Sequence, residues 1–290
     1  MLIFLTIVQK IVNPYWNTFR KHISKRGISS ITVTYVPTPI GHSIGIIILL
    51  LLGIFTLPQK SEFYLFWFIM ISIASIVNVW KIWGLLRTKF FAVETIGSLG
   101  FVSTAGFAFL ILGEKVSFLQ TLAICIAVVG VIIFSWPRKT DGKFTIDRGI
   151  LYLILSVILS GLAAVFYKLA TSFVPDYPSF LSGRFVGDLM GWTTVWLIGM
   201  FIIKRNPIRD LLDCLHGREG LFLTIGVTIS TLLESWLIFK LPVSTIAMIG
   251  ILAFPSSYLI SRFKYEEKIS FQMWAGTILI IYSVVLFLTS

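Results

Sequence analysis

The chain has 290 residues, 57% of them hydrophobic and only 13% charged, with a formal net charge of +11 and a mean hydropathy of +0.92. Soluble domains are roughly 45 to 50% apolar and about 25% charged, so this composition excludes a soluble globular protein and indicates an integral membrane one. The basic excess is spread over short loops and forms no separate domain, which excludes a nucleic-acid partner. Cys125 lies in an apolar run and Cys214 in a polar loop, giving neither a disulfide framework nor a metal spacing.

A spanning helix needs about 20 mostly apolar residues. On that ruler the sequence predicts ten, over about residues 2–20, 40–58, 63–86, 92–112, 118–136, 149–171, 179–203, 220–239, 242–262 and 270–288. The first is the least apolar; it has no basic leader region or small-residue cleavage site and is expected to be retained. Its Asn13-Pro14 step frees a backbone carbonyl, and interrupted helices at membrane depth line cavities, so Asn13 is a cavity candidate. The third span carries Asn78 and Lys81 on one face, followed by Trp83. The fourth opens near Glu94, which suits either a cavity or a helix N-terminus. The polar run Pro137-Arg138-Lys139-Thr140-Asp141-Gly142-Lys143 is the natural linker, dividing the chain into residues 1–137, a connection over 138–148, and residues 149–290.

In the second half, Lys168 ends the sixth span, and Arg184 and Asp188 stand four apart in the seventh, where they share a face and can pair. Gly183, Gly187 and Gly191 form an i, i+4, i+8 stripe suited to close helix packing. The basic loop Lys204-Arg205-Asn206-Pro207-Ile208-Arg209 is expected to rest on anionic lipid headgroups. The eighth span carries Glu234 and Trp236. Lys and Arg crowd the loops after odd-numbered spans, whereas loops after even-numbered ones hold only Lys60, Lys115 and Lys240. By the positive-inside rule both termini would face away from the cytoplasm.

Two segments repeat at an offset of 153 residues: Glu114-Lys115-Val116-Ser117-Phe118 and Glu267-Lys268-Ile269-Ser270-Phe271. The same offset places Lys81 on Glu234, Trp83 on Trp236, Arg87 on Lys240, Gly97 on Gly250, Val131 on Val284 and Phe134 on Phe287. Internal duplication of a hydrophobic chain marks many secondary transporters, whose substrate site lies where the halves meet. The expected fold is therefore an all-α integral membrane protein of ten transmembrane helices, arranged as two inverted five-helix repeats.

The second half, with Gly149-Ile150-Leu151-Tyr152-Leu153-Ile154-Leu155-Ser156, Lys168, Leu241-Pro242-Val243-Ser244-Thr245-Ile246-Ala247, Phe254-Pro255 and Glu266-Glu267-Lys268, resembles an EamA-type unit of the drug/metabolite transporter superfamily. Lys21 and Leu112-Gly113-Glu114-Lys115 extend the resemblance to the first half. It implies spans 1 to 4 and 6 to 9 around a central cavity, spans 5 and 10 at the periphery, and carriage of amino acids, metabolites, nucleotide sugars or drugs. The sequence departs from that pattern twice. The family keeps its termini in the cytoplasm, against the charge bias, and the first half has Gly97, Gly100 and Phe101 where the second has Gly250 and Phe254-Pro255.

Ionisable side chains inside hydrocarbon cost about 2.5 to 3.5 kcal/mol even on insertion scales, so they face a cavity or a partner. The substrate and cavity candidates are thus Asn13, Asn78, Lys81, Trp83, Glu94, Lys168, Arg184, Asp188, Glu234 and Trp236. Lys81 and Glu234 would offer a zwitterionic or polar solute one site of each sign, or form a structural pair or snorkel to water. A carboxylate in a partly dry cavity exchanges protons near neutral pH, which makes Glu94 and Glu234 the proton-coupling candidates. His22, His42 and His216 have no metal-ligand spacing, and no nucleophile-base constellation or phosphate loop appears; neither an enzyme nor a cofactor or metal is expected. The expectation is a carrier of a small polar or amphipathic metabolite in a bacterial or archaeal cell membrane, its partners the solute and the bilayer, with a homodimer left open. The alternative is a non-transporting helper subunit, for instance of a lipid-linked-sugar flippase.

Overall fold

The structure is a computed structural model and describes residues 2–11, 23, 26–87, 96–97, 99–135, 148–256 and 271–290, the side chains at 30, 82–87 and 135 excepted. Among the described residues it is all helix, with no strand. In chain order the helices are α1 (Leu2–Ile11), α2 (Ser30–Tyr35), α3 (Pro37–Leu51), α4 (Ser61–Arg87), α5 (Gly100–Leu112), α6 (Phe118–Ser135), α7 (Arg148–Thr171), α8 (Tyr177–Ile202), α9 (Pro207–Leu215), α10 (Arg218–Lys240), α11 (Val243–Gly250) and α12 (Phe271–Thr289). Among the described residues they form six segments long and apolar enough to cross a membrane: α2 with α3 over Ile31–Leu51, Ser61–Lys81 within α4, then α7, α8, α10 and α12. Shorter apolar helices cover Leu2–Ile11, Gly100–Leu112, Phe118–Phe134 and Val243–Ser256. Several long apolar helices in one chain make it a multi-pass membrane protein.

Where ten spans were expected, six of spanning length are found among the described residues, and two departures have a clear local cause. The second span, expected over 40–58, runs instead over Ile31–Leu51. Pro37 and Pro39 fall in the first turn of α3, where a missing N–H costs nothing, so helix continues on either side of the bend at Val36. Gly53, at a φ of +67°, ends it, and residues 54–60 run without helix. The basic loop after the seventh span contains a helix, α9. Asn206 caps it by accepting from the backbone N–H groups of Ile208 and Arg209, and Pro207 occupies its first turn. Its Asp210 is turned inward, accepting from Ser29 N at 3.2 Å and Thr32 Oγ1 at 3.3 Å, so α9 is fastened to α2. Ile208 and Leu212 stay exposed on the opposite side.

Packing pairs helices from the two halves of the chain. α3 lies on α8 and α10, α4 on α7 and α8, α5 on α7 and α11, and α6 on α12. The α6–α12 seam is built from Ala123, Ala127, Val131 and Phe134 on one side and Gly276, Ile280, Val284 and Phe287 on the other, all buried. Gly276 lets the backbones meet: a Cβ there would stand 2.6 Å from Phe134 Cβ. Between α4 and α8, the glycine stripe receives Phe63, Trp67 and Ile71, themselves spaced i, i+4, i+8, one large side chain against each of Gly183, Gly187 and Gly191. Small-residue faces of this kind bring apolar helices close in lipid, where hydrophobic exclusion between them is absent.

Candidate functional site

The α4–α8 contact places an aromatic group beside a charged one. Trp67 stacks on Phe63 with ring centroids 5.5 Å apart and meets Tyr167 of α7 edge-on at 5.1 Å. Tyr167 stacks on Phe180 at 5.8 Å, and the guanidinium of Arg184 lies over the Tyr167 ring at 4.6 Å.

One turn along α8, Arg184 spends its donors on two helices. Nε points to Asp188 Oδ2 at 3.4 Å; Nη1 donates to Thr231 O at 3.2 Å and Ser235 Oγ at 2.7 Å; Nη2 donates to Glu234 Oε2 at 2.9 Å. Its side chain is 8% exposed, that of Asp188 4% and that of Glu234 35%. A planar fork with fixed donor directions suits this bridging role better than an ammonium would. With these contacts made, Arg184 holds two carboxylates in place and keeps little donor capacity for a ligand.

His42 enters from α3. It is fully buried, packed on the Phe185 ring with centroids 4.9 Å apart, and its Nδ1 stands 3.4 Å from Asp188 Oδ2. Neighbouring glycines allow this depth: Gly45 lies against Phe185, and Gly41 against Thr228 of α10. The indole N–H of Trp67 faces Asp188 without closing a hydrogen bond. Five atoms at this junction are buried and without a hydrogen-bond partner among the described residues: Asp188 Oδ1, both His42 nitrogens, Trp67 Nε1 and Tyr167 Oη. Buried polar atoms are nearly always satisfied, and each one left open costs about 1 to 3 kcal/mol. Their convergence where α3, α4, α7, α8 and α10 meet makes this the candidate binding site.

Of the residues singled out in the sequence, Arg184, Asp188 and Glu234 come together here. Lys168 does other work: its Nζ donates to Ile238 O at 2.6 Å and Leu241 O at 3.0 Å, closing the C-terminal end of α10. Trp236 is half-buried, edge-on to Tyr177 at 4.8 Å with Lys240 above it at 5.5 Å. Asn78 is half-buried on α4, and Lys81 is exposed with no ion-pair partner among the described residues. Lys81 lies 20 residues beyond Ser61, about 30 Å along the axis at 1.5 Å per residue, which is the thickness of a hydrocarbon core. Asn13 and Glu94 lie outside the described residues, as does the side chain of Trp83.

Sequence reasoning missed His42, Trp67 and Tyr167. His42 had a usable signal, being an ionisable residue inside a predicted span; the two aromatics had none among so many. It also gave Glu114 no role beyond marking the repeat. Its carboxylate reaches across to α11, accepting from Val243 N at 2.8 Å and Ser244 N at 3.0 Å, with the Ser244 hydroxyl also donating to it. A carboxylate there satisfies first-turn N–H groups and complements the helix dipole.

The fold is shared with a known structure. One solved chain, described only as "Crystal structure of protein", superposes with a TM-score of 0.70 at 12% sequence identity, over 98% of this chain and 94% of that one. No family model and no curated protein matches the sequence. At so low an identity the likeness establishes the architecture alone.

Proposed function

We propose that the protein is a secondary transporter of EamA type, moving a small polar or amphipathic solute by alternating access between two inverted halves of five spans each. The observation that carries this reading is the set of open polar atoms buried around Arg184 and Asp188, contributed by α3 and α4 from one half and by α7 and α8 from the other, with α10 supplying the partners of Arg184. Intramembrane ionisable groups that face one another inside a bundle mark substrate or ion paths.

The helix pairings support the two-half layout. Exchanging halves turns α3 into α8, α4 into α10 and α6 into α12. The pairs α3–α8 and α6–α12 then map onto themselves, and α4–α8 maps onto α10–α3. The α4–α7 pair has its counterpart in α10–α1, where Gln9 Nε2 donates to Ser230 O at 3.3 Å. In this arrangement the Trp67 and Tyr167 rings form an apolar wall, and Asp188 with Glu234 gives the site its polarity.

Counterflow of labelled amino acids, polyamines, nucleotide sugars and amphipathic drugs into proteoliposomes tests the proposal. Saturable flux that Glu234→Gln reduces at normal protein abundance is the expected result. Absence of flux for every class, together with a stable heteromeric partner, would make the protein a helper subunit.

A further inference from the structure

The charged cluster leaves one carboxylate oxygen without a donor. Arg184 meets Asp188 through Oδ2 only, and Oδ1 of the same carboxylate has no donor, although the side chain is 4% exposed. A buried carboxylate needs several donors to hold its charge away from water. Two groups face this carboxylate without closing a hydrogen bond: the Trp67 indole N–H, and His42, whose Nδ1 stands 3.4 Å from Oδ2 with neither ring nitrogen engaged.

We propose that Asp188 and His42 form a proton-binding couple in this protein, distinct from Glu94 and Glu234, and that its occupancy is linked to the movement of α3 against α8. This rests on the carrier reading for its use in transport, though not for proton binding itself. The step is simple in its balance. A proton arriving from water forms an O–H bond on Asp188, with His42 beside it as the neutral partner that sets its midpoint, and the cluster gains one positive charge. Protonation of Asp188 removes the acceptor charge facing Arg184 Nε and leaves the guanidinium paired with Glu234 alone; loss of the proton restores both pairs.

The surroundings fit a site that moves one proton. From α8 it meets Arg184; from α10, Glu234, with Thr231 and Ser235 as neutral acceptors for the guanidinium. From α3 comes His42, from α4 the Trp67 N–H, from α7 the Tyr167 hydroxyl, and from α1 the field of Lys10 acting on Glu234. Among these, Glu234 is the carboxylate already held by a close ion pair, at 2.9 Å. The couple also spans the two halves: His42 and Asp188 belong to α3 and α8, helices that exchange with each other in the proposed symmetry. Any sliding of one past the other changes the 3.4 Å separation and with it the hydrogen bonding of the proton.

The test is difference infrared spectroscopy on the full chain in proteoliposomes, titrated between about pH 5 and 8, with release or uptake of protons followed by an external pH dye. The expected result is a carboxylic-acid C=O band that titrates in the wild type, disappears in Asp188→Asn, persists in Glu234→Gln and shifts its midpoint in His42→Gln. A wild-type spectrum with no titrating carboxylic band would overturn the proposal without any variant having to fold, and so would a band that survives Asp188→Asn. Solute flux separates the two readings. Flux that ignores pH, with a silent spectrum, removes the proton couple and leaves the carrier; a titrating Asp188 band without flux for any solute keeps the couple and counts against the carrier.

Discussion

The α6–α12 seam and the Arg184 cluster occupy the same frame but follow opposite rules. At the 153-residue offset, Ala123, Ala127, Val131 and Phe134 correspond to Gly276, Ile280, Val284 and Phe287, and all eight are buried against one another. The same offset carries Arg184, Asp188, Thr231, Glu234 and Ser235 to Ile31, Tyr35, Asn78, Lys81 and Ile82. Packing asks only for shape and apolarity, so both copies satisfy it with interchangeable residues. A buried ion network must close its hydrogen bonds and its charge once, in one place, and a second copy of it would double the desolvation cost. In the proposed repeat, the frame stays symmetric while the ion-paired side chains Arg184, Asp188 and Glu234 gather in the second half.

That contrast can be broken experimentally. The largest effect is expected from Arg184→Met, which strands Asp188 and Glu234: about 3 to 5 kcal/mol of stability should be lost, and adding Asp188→Asn and Glu234→Gln should recover most of it. Thermal unfolding of the purified protein in detergent measures both; a triple variant as unstable as the single one would mean that the cluster is held by something other than its charge balance. In the seam, Gly276→Leu should cost about 1 to 3 kcal/mol by overpacking against Phe134, with solute flux per folded molecule unchanged. Altered solute affinity in that variant would show that the seam reaches the site and erase the distinction.

Cys214, which belongs to neither region, supplies the smallest and sharpest control. It is fully buried beside Ile23, Ile28, Val33 and Leu223, and burial with Asp210 nearby pushes its thiol up to about 11 from an ordinary 9.0. Because the folded value is the higher one, the thiol stays protonated below pH 9, and the stability it contributes is lost only as pH rises towards the folded value. Maleimide labelling at about pH 8 should therefore be slow in the wild type and in the Gly276 variant, since the thiolate is the reactive form. Rapid labelling in the Arg184 variant would report general unfolding rather than a local change at the cluster.

Six spans were legible in the sequence because their signal is additive: long apolar runs announce spans wherever they occur. Boundaries were harder. The prolines at 37 and 39 sit inside one span because a first-turn proline costs nothing, and α9 was hidden because nine residues with two apolar positions facing out read as a charged loop. The Arg184–Asp188 pairing followed from spacing on one helix, since i and i+4 neighbours are fixed by helix geometry. Glu234 and His42 reach the same point from other helices, and no local periodicity encodes which faces meet. For Glu114 the offset match gave a position without a purpose, because its partners, the first N–H groups of α11, are 129 and 130 residues away.

That long reach bears on how the chain is made. The ribosome delivers Glu114 well before α11, so the acceptor for the Val243 and Ser244 amides is already waiting when that segment is made. A carboxy-terminal fragment synthesised alone would form α11 with no anion to receive those amides. Vectorial synthesis thus gives the amino-terminal half the role of an internal chaperone for the segment that follows.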